Sequence, residues 1–293
     1  MSQQSLVRQP LALLLLLAAI LALGLGALAA PSAEAAGRPH RIVSLSATAT
    51  ESLFAIGAGR QVIAVDDQSD YPRSAPRTKL SYLHPSAEAV AAYRPDLVVT
   101  AGQDPRFIAA LRKLHIRVLL QPAARSLDDA YAQIAQLGRA TGHPLAGPAV
   151  ARRMRRRIDA LIASVRRPAK RTAVYHELSP DGYSATSRTF IGSVYARFGL
   201  RNIADRAKGA APDYPKLSRE FILHANPDLV VLADATCCKQ SPRTVAKRPG
   251  WSRLQAVRKG RVVAVPDAIA SRWGPRTVQF VARVAAILRP RRG

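Results

Sequence analysis

The chain has 293 residues, enough for one large domain or two of medium size. Lys and Arg number 44 against 19 Asp and Glu, a formal net charge of +25, and Arg supplies 36 of the 44. Hydrophobic residues at 48% exclude a disordered or collagen-like chain, and two cysteines exclude a disulfide framework.

Arg8 is followed by the apolar stretch Leu11–Ala30 and then by small residues ending Ala33-Glu34-Ala35. That order of basic, apolar and A-x-A segments predicts a Sec-type signal peptide over residues 1–35. A retained membrane anchor is the alternative, since about 20 apolar residues can span a bilayer. Gly24, Gly26 and Pro31 interrupt the apolar run and favour cleavage, and the lack of a nearby Cys predicts no lipid anchor. Cleavage delivers the remainder to the periplasm or the cell exterior. The positive charge therefore predicts attraction to anionic polymers in general rather than to nucleic acid.

Two halves then echo each other. Ser86-x-Glu88 leads through an amphipathic stretch into Arg94-Pro95-Asp96-Leu97-Val98-Val99, and Ser218-x-Glu220 leads into Asn226-Pro227-Asp228-Leu229-Val230-Val231. Glu88 to Glu220 and Pro95 to Pro227 are both separations of 132 residues. Each copy predicts a short helix, a Pro-Asp turn and a buried strand. Before each copy comes another strand and helix: Ile42–Leu45 with Thr48–Ile56 in the first half, Ala173–Tyr175 with Phe190–Phe198 in the second, each helix stopped by Gly. After each copy comes a helix and a strand, Leu111–Ile116 with Arg117–Leu120, then Leu254–Val257 with Arg261–Val265. Strands alternating with helices predict an α/β fold of two lobes, each a mainly parallel sheet flanked by helices.

The segment between the halves is helical. Ser126 and Asp129 form a capping-box pattern before Leu127, Tyr131, Ile134 and Leu137. Beyond Pro144, Val150, Met154, Ile158, Leu161 and Val165 recur at helical spacing. Its polar side bears Arg152, Arg153, Arg155, Arg156 and Arg157. The like-charge pairs there cost only a few tenths of a kcal/mol each, which a solvated face tolerates. The expected layout is an N-terminal lobe over 36–146, a long rigid inter-lobe helix over 147–169 and a C-terminal lobe over 170–293.

Ligands of open parallel sheets bind at the carboxyl ends of the strands. The candidate walls are Ser44–Thr50, Asp66–Pro72 and Ser81–Pro85 in the first half, with His176–Ser187, Asp234–Cys238 and Asp267–Pro275 in the second. No G-x-S-x-G elbow, P-loop or H-E-x-x-H pattern is present, and binding without catalysis is the expectation. A triad assembled from distant residues stays open, because triads are defined by geometry. A secreted cell-wall-binding protein or hydrolase is the alternative of another class. Adjacent Cys237 and Cys238 can close into a strained eight-membered vicinal disulfide or stay free, and no second Cys pair or suitably spaced His completes a metal site.

An ordered set of motifs spans residues 40–290: Arg41–Glu51, Ser69-Asp70-Tyr71-Pro72, Glu88 leading into Arg94–Val99, Thr189–Gly192, Asn202–Asp205, Ser218–Glu220 and Gly274-Pro275-Arg276. In these the chain resembles the periplasmic-binding family for vitamin B12 and iron chelates, the solute receptors of ABC importers. The likeness is greatest to the cobalamin-binding branch. The resemblance implies a monomer without resident cofactor that holds a corrinoid or ferric chelate between its lobes, with haem and siderophores as alternatives. It implies that Glu88 and Glu220, one per lobe, dock on arginines of a dimeric permease. Their bland reading is dipole compensation at helix starts. Tyr71, Tyr82 and Tyr183 are candidate aromatic walls, or lobe caps with wet hydroxyls. Arg272 beside Trp273 is a candidate for the ligand's polar edge, or surface packing. His176, ending a strand, is a candidate crevice residue or a structural one. The resemblance expects an aromatic wall where this chain has Ala101.

Overall fold

The protein is described from a computed structural model covering residues 37–102, 104–165, 172–207 and 211–289. The expected signal segment, residues 1–35, lies outside the described residues. The first half contributes β1 (Ile42–Leu45), α1 (Ala47–Ala55), β2 (Val62–Asp66), β3 (Arg77–Leu80), α2 (Ala87–Ala91), β4 (Leu97–Thr100), α3 (Pro105–Lys113) and β5 (Val118–Leu120). Its strands form a five-stranded sheet of order β3-β2-β1-β4-β5, parallel throughout.

Helices α4 (Leu127–Ala140) and α5 (Ala146–Ala163) follow. The second half contributes β6 (Ala173–Glu177), α6 (Phe190–Arg197), β7 (Arg201–Asn202), α7 (Arg219–Ala225), β8 (Leu229–Leu232), α8 (Pro242–Ala246), α9 (Gln255–Arg258), β9 (Val262–Ala264), α10 (Asp267–Ala270) and α11 (Thr277–Leu288). Its sheet has order β7-β6-β8-β9 and is also parallel. The expected two-lobed α/β architecture is the one observed.

The sequence echo has a structural cause. Ile42 pairs with Leu97 in the first sheet, and Val174, the residue at the same offset, pairs with Leu229 in the second. The aspartate after the repeated proline pins the start of the neighbouring strand. Asp96 accepts from the Arg41 N–H at 3.1 Å, and Asp228 from the Ala173 N–H at 2.9 Å. Each aspartate's own N–H returns a bond to the same residue's carbonyl. A carboxylate there satisfies a strand end that the ladder leaves unpaired. Ser86 and Ser218 cap α2 and α7 in the same way, each accepting from the N–H three residues on.

The connection between lobes is broader than one helix. The expected capping box at Ser126 and Asp129 starts α4. A five-residue turn then lets α5 fold back along α4. Gly138 and Gly147 make this close approach necessary: a Cβ on either would come within 2.8 Å of main-chain atoms of the other helix or its turn. α4 also packs on α1 and α6, and α5 on α11. One continuous core therefore runs from Ile42 and Val99 through Ile134 and Ile158 to Val174 and Val231. A helical layer filled in this way resists bending more than a lone strut.

Candidate functional site

The chain runs from β1 outward to β2 and β3, then returns to β4 on the other side of β1. That reversal opens a crevice at the carboxyl ends of β1 and β4. A cavity of about 420 Å³ occupies it. Ser46, Thr48, Gln68, Tyr82, Leu83 and Ala101 line it from the first lobe, and Asp267, Ser271, Arg272 and Trp273 from the second. Leu83 at its edge is 72% exposed, an apolar side chain left to water where a ligand face could cover it.

Behind the cavity the lobes are tied by charge. Glu51 on α1 is 3% exposed and is held from the second lobe. Arg276 donates Nε to Oε2 at 3.0 Å and Nη2 to Oε1 at 2.5 Å. Arg272 donates Nη1 to Glu51 Oε1 at 3.1 Å and to Asp70 Oδ1 at 2.6 Å, with Nη2 on the Gln68 carbonyl at 2.8 Å. Burial works against the charge on Asp70, yet the bond and charge of Arg272 hold its carboxyl below the usual range. Burial likewise opposes the Arg276 charge, and the Glu51 bond and charge hold its pKa above the usual value. The guanidinium of Arg272 is thus committed to the clamp rather than free for a ligand edge. Trp273 is carried into the cleft wall by the same loop, with its indole N–H on Gln133 at 2.8 Å and its ring edge-on to Phe190.

The other candidate residues lie elsewhere. Tyr71 is half exposed, with the Arg276 guanidinium 4.1 Å from its ring centre. It lines a separate cavity of about 510 Å³ with Glu51, Phe54, Arg157 and Arg276. Tyr183 is stacked under Lys216 and lines none of the cavities named in this section. His176 does not reach the crevice at all. It is 0% exposed, with Nδ1 bonded to the Tyr195 hydroxyl at 2.5 Å and its ring against Phe280. β6 is covered on both faces, so ending that strand does not bring a side chain to the surface. Burial pushes the His176 pKa down to about 3, which keeps the ring neutral.

A third cavity, of about 510 Å³, lies wholly in the second lobe among Tyr175, Glu177, Arg219, Arg248 and Trp251. At its floor Arg248 grips Glu177 through two bonds of 2.6 and 2.7 Å. Next to this pair Asp234 is fully buried, and among the described residues no donor reaches its carboxyl oxygens. Burial and the neighbouring Glu177 charge push its pKa up to about 7.

Glu88 and Glu220 stand in the first turns of α2 and α7, both exposed to solvent. Ser86 Oγ donates to Glu88 at 2.7 Å, and Arg219 donates to Glu220 at 3.1 Å. Cys237 and Cys238 are exposed free thiols with sulfurs 2.6 Å apart. Among the described residues, no group of three His, Cys, Asp or Glu side chains could hold a metal ion. Among the same residues, no helix is long and apolar enough to cross a membrane.

Comparison with known proteins agrees with this fold. The profile of the periplasmic binding protein family matches residues 42–269. This chain belongs to that family. A cobalamin-binding protein of Halobacterium salinarum is 33% identical over 260 residues, covering 84% of this chain and 69% of that one. An uncharacterized ABC transporter substrate-binding lipoprotein of Bacillus subtilis, YvrC, is 28% identical over 86% of this chain and 81% of its own. Among solved structures, the periplasmic heme-binding protein RhuT of Roseiflexus sp. RS-1 in apo form is similar at a TM-score of 0.73 and 26% identity. It covers 86% of this chain and 98% of its own.

Glu51 escaped sequence reasoning although it left a signal. It is the one charged residue in α1, among Ala, Thr, Ser, Leu and Phe, and a carboxylate on such a helix needs a cation brought to it. Replacing it with Gln leaves the largely buried Arg276 guanidinium without its counter-charge and Arg272 with Asp70 alone. Breaking a buried pair from one side costs roughly 3–5 kcal/mol, and the residual exposure of the arginines places this case near the lower end. Urea denaturation of Glu51→Gln against the parent should read that loss; an unchanged midpoint would refute the clamp.

The raised Asp234 pKa sets a pH trend. Its folded value, about 7, lies above the ordinary 3.8, so the native state keeps a proton that the unfolded chain releases. This contribution is full below the unfolded value and is lost as pH rises through the folded one. Asp234→Asn should therefore gain stability relative to the parent as pH rises from about 5 to about 8. Denaturation curves at both values test it, and a constant difference between the two proteins would exclude the shifted carboxyl.

Proposed function

We propose that the protein is the extracytoplasmic solute-binding component of an ABC importer, and that it holds a corrinoid in the cleft cavity. The observation that carries this reading is the composition of the cavity wall. Tyr82, Leu83 and Trp273 offer aromatic and apolar surface, while Ser46, Thr48, Gln68 and Ser271 offer neutral polar edges. That mixture suits a broad macrocycle with amide margins. No His, Met or Cys is among the described residues of the wall, and His176 is shut in the core. A corrinoid carrying its own axial groups needs none from the protein. Haem ordinarily takes one, and among the described residues of the wall the Tyr82 phenol could supply it. The relatives named for cobalamin support the first choice, and the heme-binding neighbour keeps the second in the test.

The protein has two tryptophans, and only Trp273 is in the cleft wall. Titration with cyanocobalamin or dicyanocobinamide should quench its emission, and Trp273→Phe should remove the response while Trp251→Phe keeps it. A haemin spectrum that depends on Tyr82 would move the ligand to haem. Silence toward both macrocycles and toward ferric chelates would defeat the reading.

Delivery is the second half of the proposal. Glu88 and Glu220 are acidic points on a chain of net charge +25, set in equivalent first turns of the two lobes. Paired charges of that kind fit a permease with two-fold symmetry, and both are exposed to solvent. Alanine at both positions should leave cyanocobalamin affinity unchanged and abolish stimulation of the permease ATPase in proteoliposomes. Full stimulation by the double variant would reassign the two residues to helix capping.

A further inference from the structure

The connection from β8 to β9 is longer than its counterpart from β4 to β5, and the added segment contains α8 and the adjacent cysteines. The turn at these cysteines is fastened on two sides. The N–H groups of Thr236 and Cys237 donate to the two carboxylate oxygens of Asp267 at 2.9 and 3.0 Å. The N–H of Cys238 donates to the Asp234 carbonyl at 3.2 Å. Asp267 opens α10 and is itself part of the cleft wall, next to Ser271 and Arg272. One carboxylate thus separates the paired thiols from the cavity.

We propose that Cys237 and Cys238 are a reversible redox modification site, and that closing them into a vicinal disulfide weakens ligand binding by loosening Asp267. The oxidant is a disulfide, RSSR. Cys237 Sγ–H and Cys238 Sγ–H lose their hydrogens, the Sγ–Sγ bond forms, and the S–S bond of RSSR breaks to give two RSH. Two protein thiols are oxidised and one disulfide is reduced, with nothing left over. Both thiols are exposed and adjacent. Burial and the bonds to Cys238 and Asp267 push the Cys237 thiol up to about 12, so Cys238 makes the first attack on RSSR. Cys237 then closes the ring, releasing the second RSH.

The consequence follows from ring size. An eight-membered ring forces the peptide between the cysteines out of its ordinary arrangement. That peptide carries the Cys238 N–H bonded to Asp234, and the plane before it carries the Cys237 N–H bonded to Asp267. Turning them takes away one of the donors that fix Asp267. Burial raises the Asp267 pKa, and the bonds from Thr236 and Cys237 outweigh it and hold the carboxyl below its usual range. A carboxylate that has lost a donor keeps more water, and a macrocycle entering the cleft must strip that water. Loss of one hydrogen bond to a charged group corresponds to about a ten-fold weaker affinity.

The affinity arm rests on the corrinoid reading, so the experiment has a second arm that does not. The purified protein is treated with oxidised glutathione or with dithiothreitol, alkylated and weighed. The oxidised form should be monomeric, closed to alkylation and about 2 Da lighter than the dithiol. Its Kd for cyanocobalamin should be about ten-fold higher and recover on reduction. Cys237→Ser with Cys238→Ser should bind like the reduced protein under both treatments. Hydrogen exchange supplies the ligand-free arm: the amides of Thr236 and Cys237 should exchange faster after oxidation. Thiols that stay alkylatable, a disulfide-linked dimer, or unchanged exchange would each overturn the proposal. Equal affinity of the two forms would overturn its coupling to the cleft. Failure of the reduced protein to bind cyanocobalamin would count against the ligand assignment, and the exchange arm would still decide the redox site.

Discussion

Glu51 fixes the relation between the two lobes. A carboxylate that is 3% exposed is costly unless cations reach it, and the cations come from residues 221 and 225 positions further along the chain. The loop that delivers them, from Asp267 to Arg276, is also the second lobe's whole contribution to the cleft cavity. Trp273 lies between the two arginines, so the position of its indole is set by charge pairing on both sides of it. Close bidentate geometry leaves little lateral freedom, and burial shields the network from salt. The cleft wall is therefore built before any ligand arrives.

The helical layer gives the same outcome by packing. α4 and α5 meet through glycines, and the core continues unbroken between the two sheets. Opening the cleft by bending this layer would disturb close-packed interior, whereas parting the clamp exposes charges that water can take up. The clamp is thus the softer of the two restraints despite its electrostatic strength. An opening motion would separate Arg272 and Arg276 from Glu51 before it deformed Ile134 or Ile158.

Much of this architecture was legible because its determinants are local or repeated. The Ser caps, the Pro-Asp turns and the β-branched runs encode helix starts and buried strands within a few residues, and the common offset of 132 carries through to the pairing register. Tyr82 and Trp273 both line the cleft cavity because turns after parallel strands converge on one edge. His176 takes the structural one of its two readings, because sequence position says that a strand ends, not which layer still covers it. Arg272 is in the cleft wall, but its partners Glu51 and Asp70 are remote in sequence and only the tertiary fold brings them near. Tyr71 and Tyr183 occupy turns of the expected kind, but one lies against the Arg276 guanidinium and the other under Lys216. Side-chain direction in such turns depends on neighbours that the local sequence does not contain.

A receptor with a preformed cleft gains affinity because little ordering accompanies capture, but the same rigidity makes spontaneous release slow. On the proposed reading, release then requires work from outside. The acidic turns of α2 and α7 lie on different lobes, which gives a two-fold permease one handle on each. Pulling the handles apart loads the restraint that yields first, the ion pairs of Glu51, and hydration of the parted charges lowers the barrier once they separate. The arginines would then face an open cleft rather than a carboxylate, and the loop that carries Trp273 would lose its anchor. Capture and release in this molecule would accordingly differ by the state of one buried carboxylate.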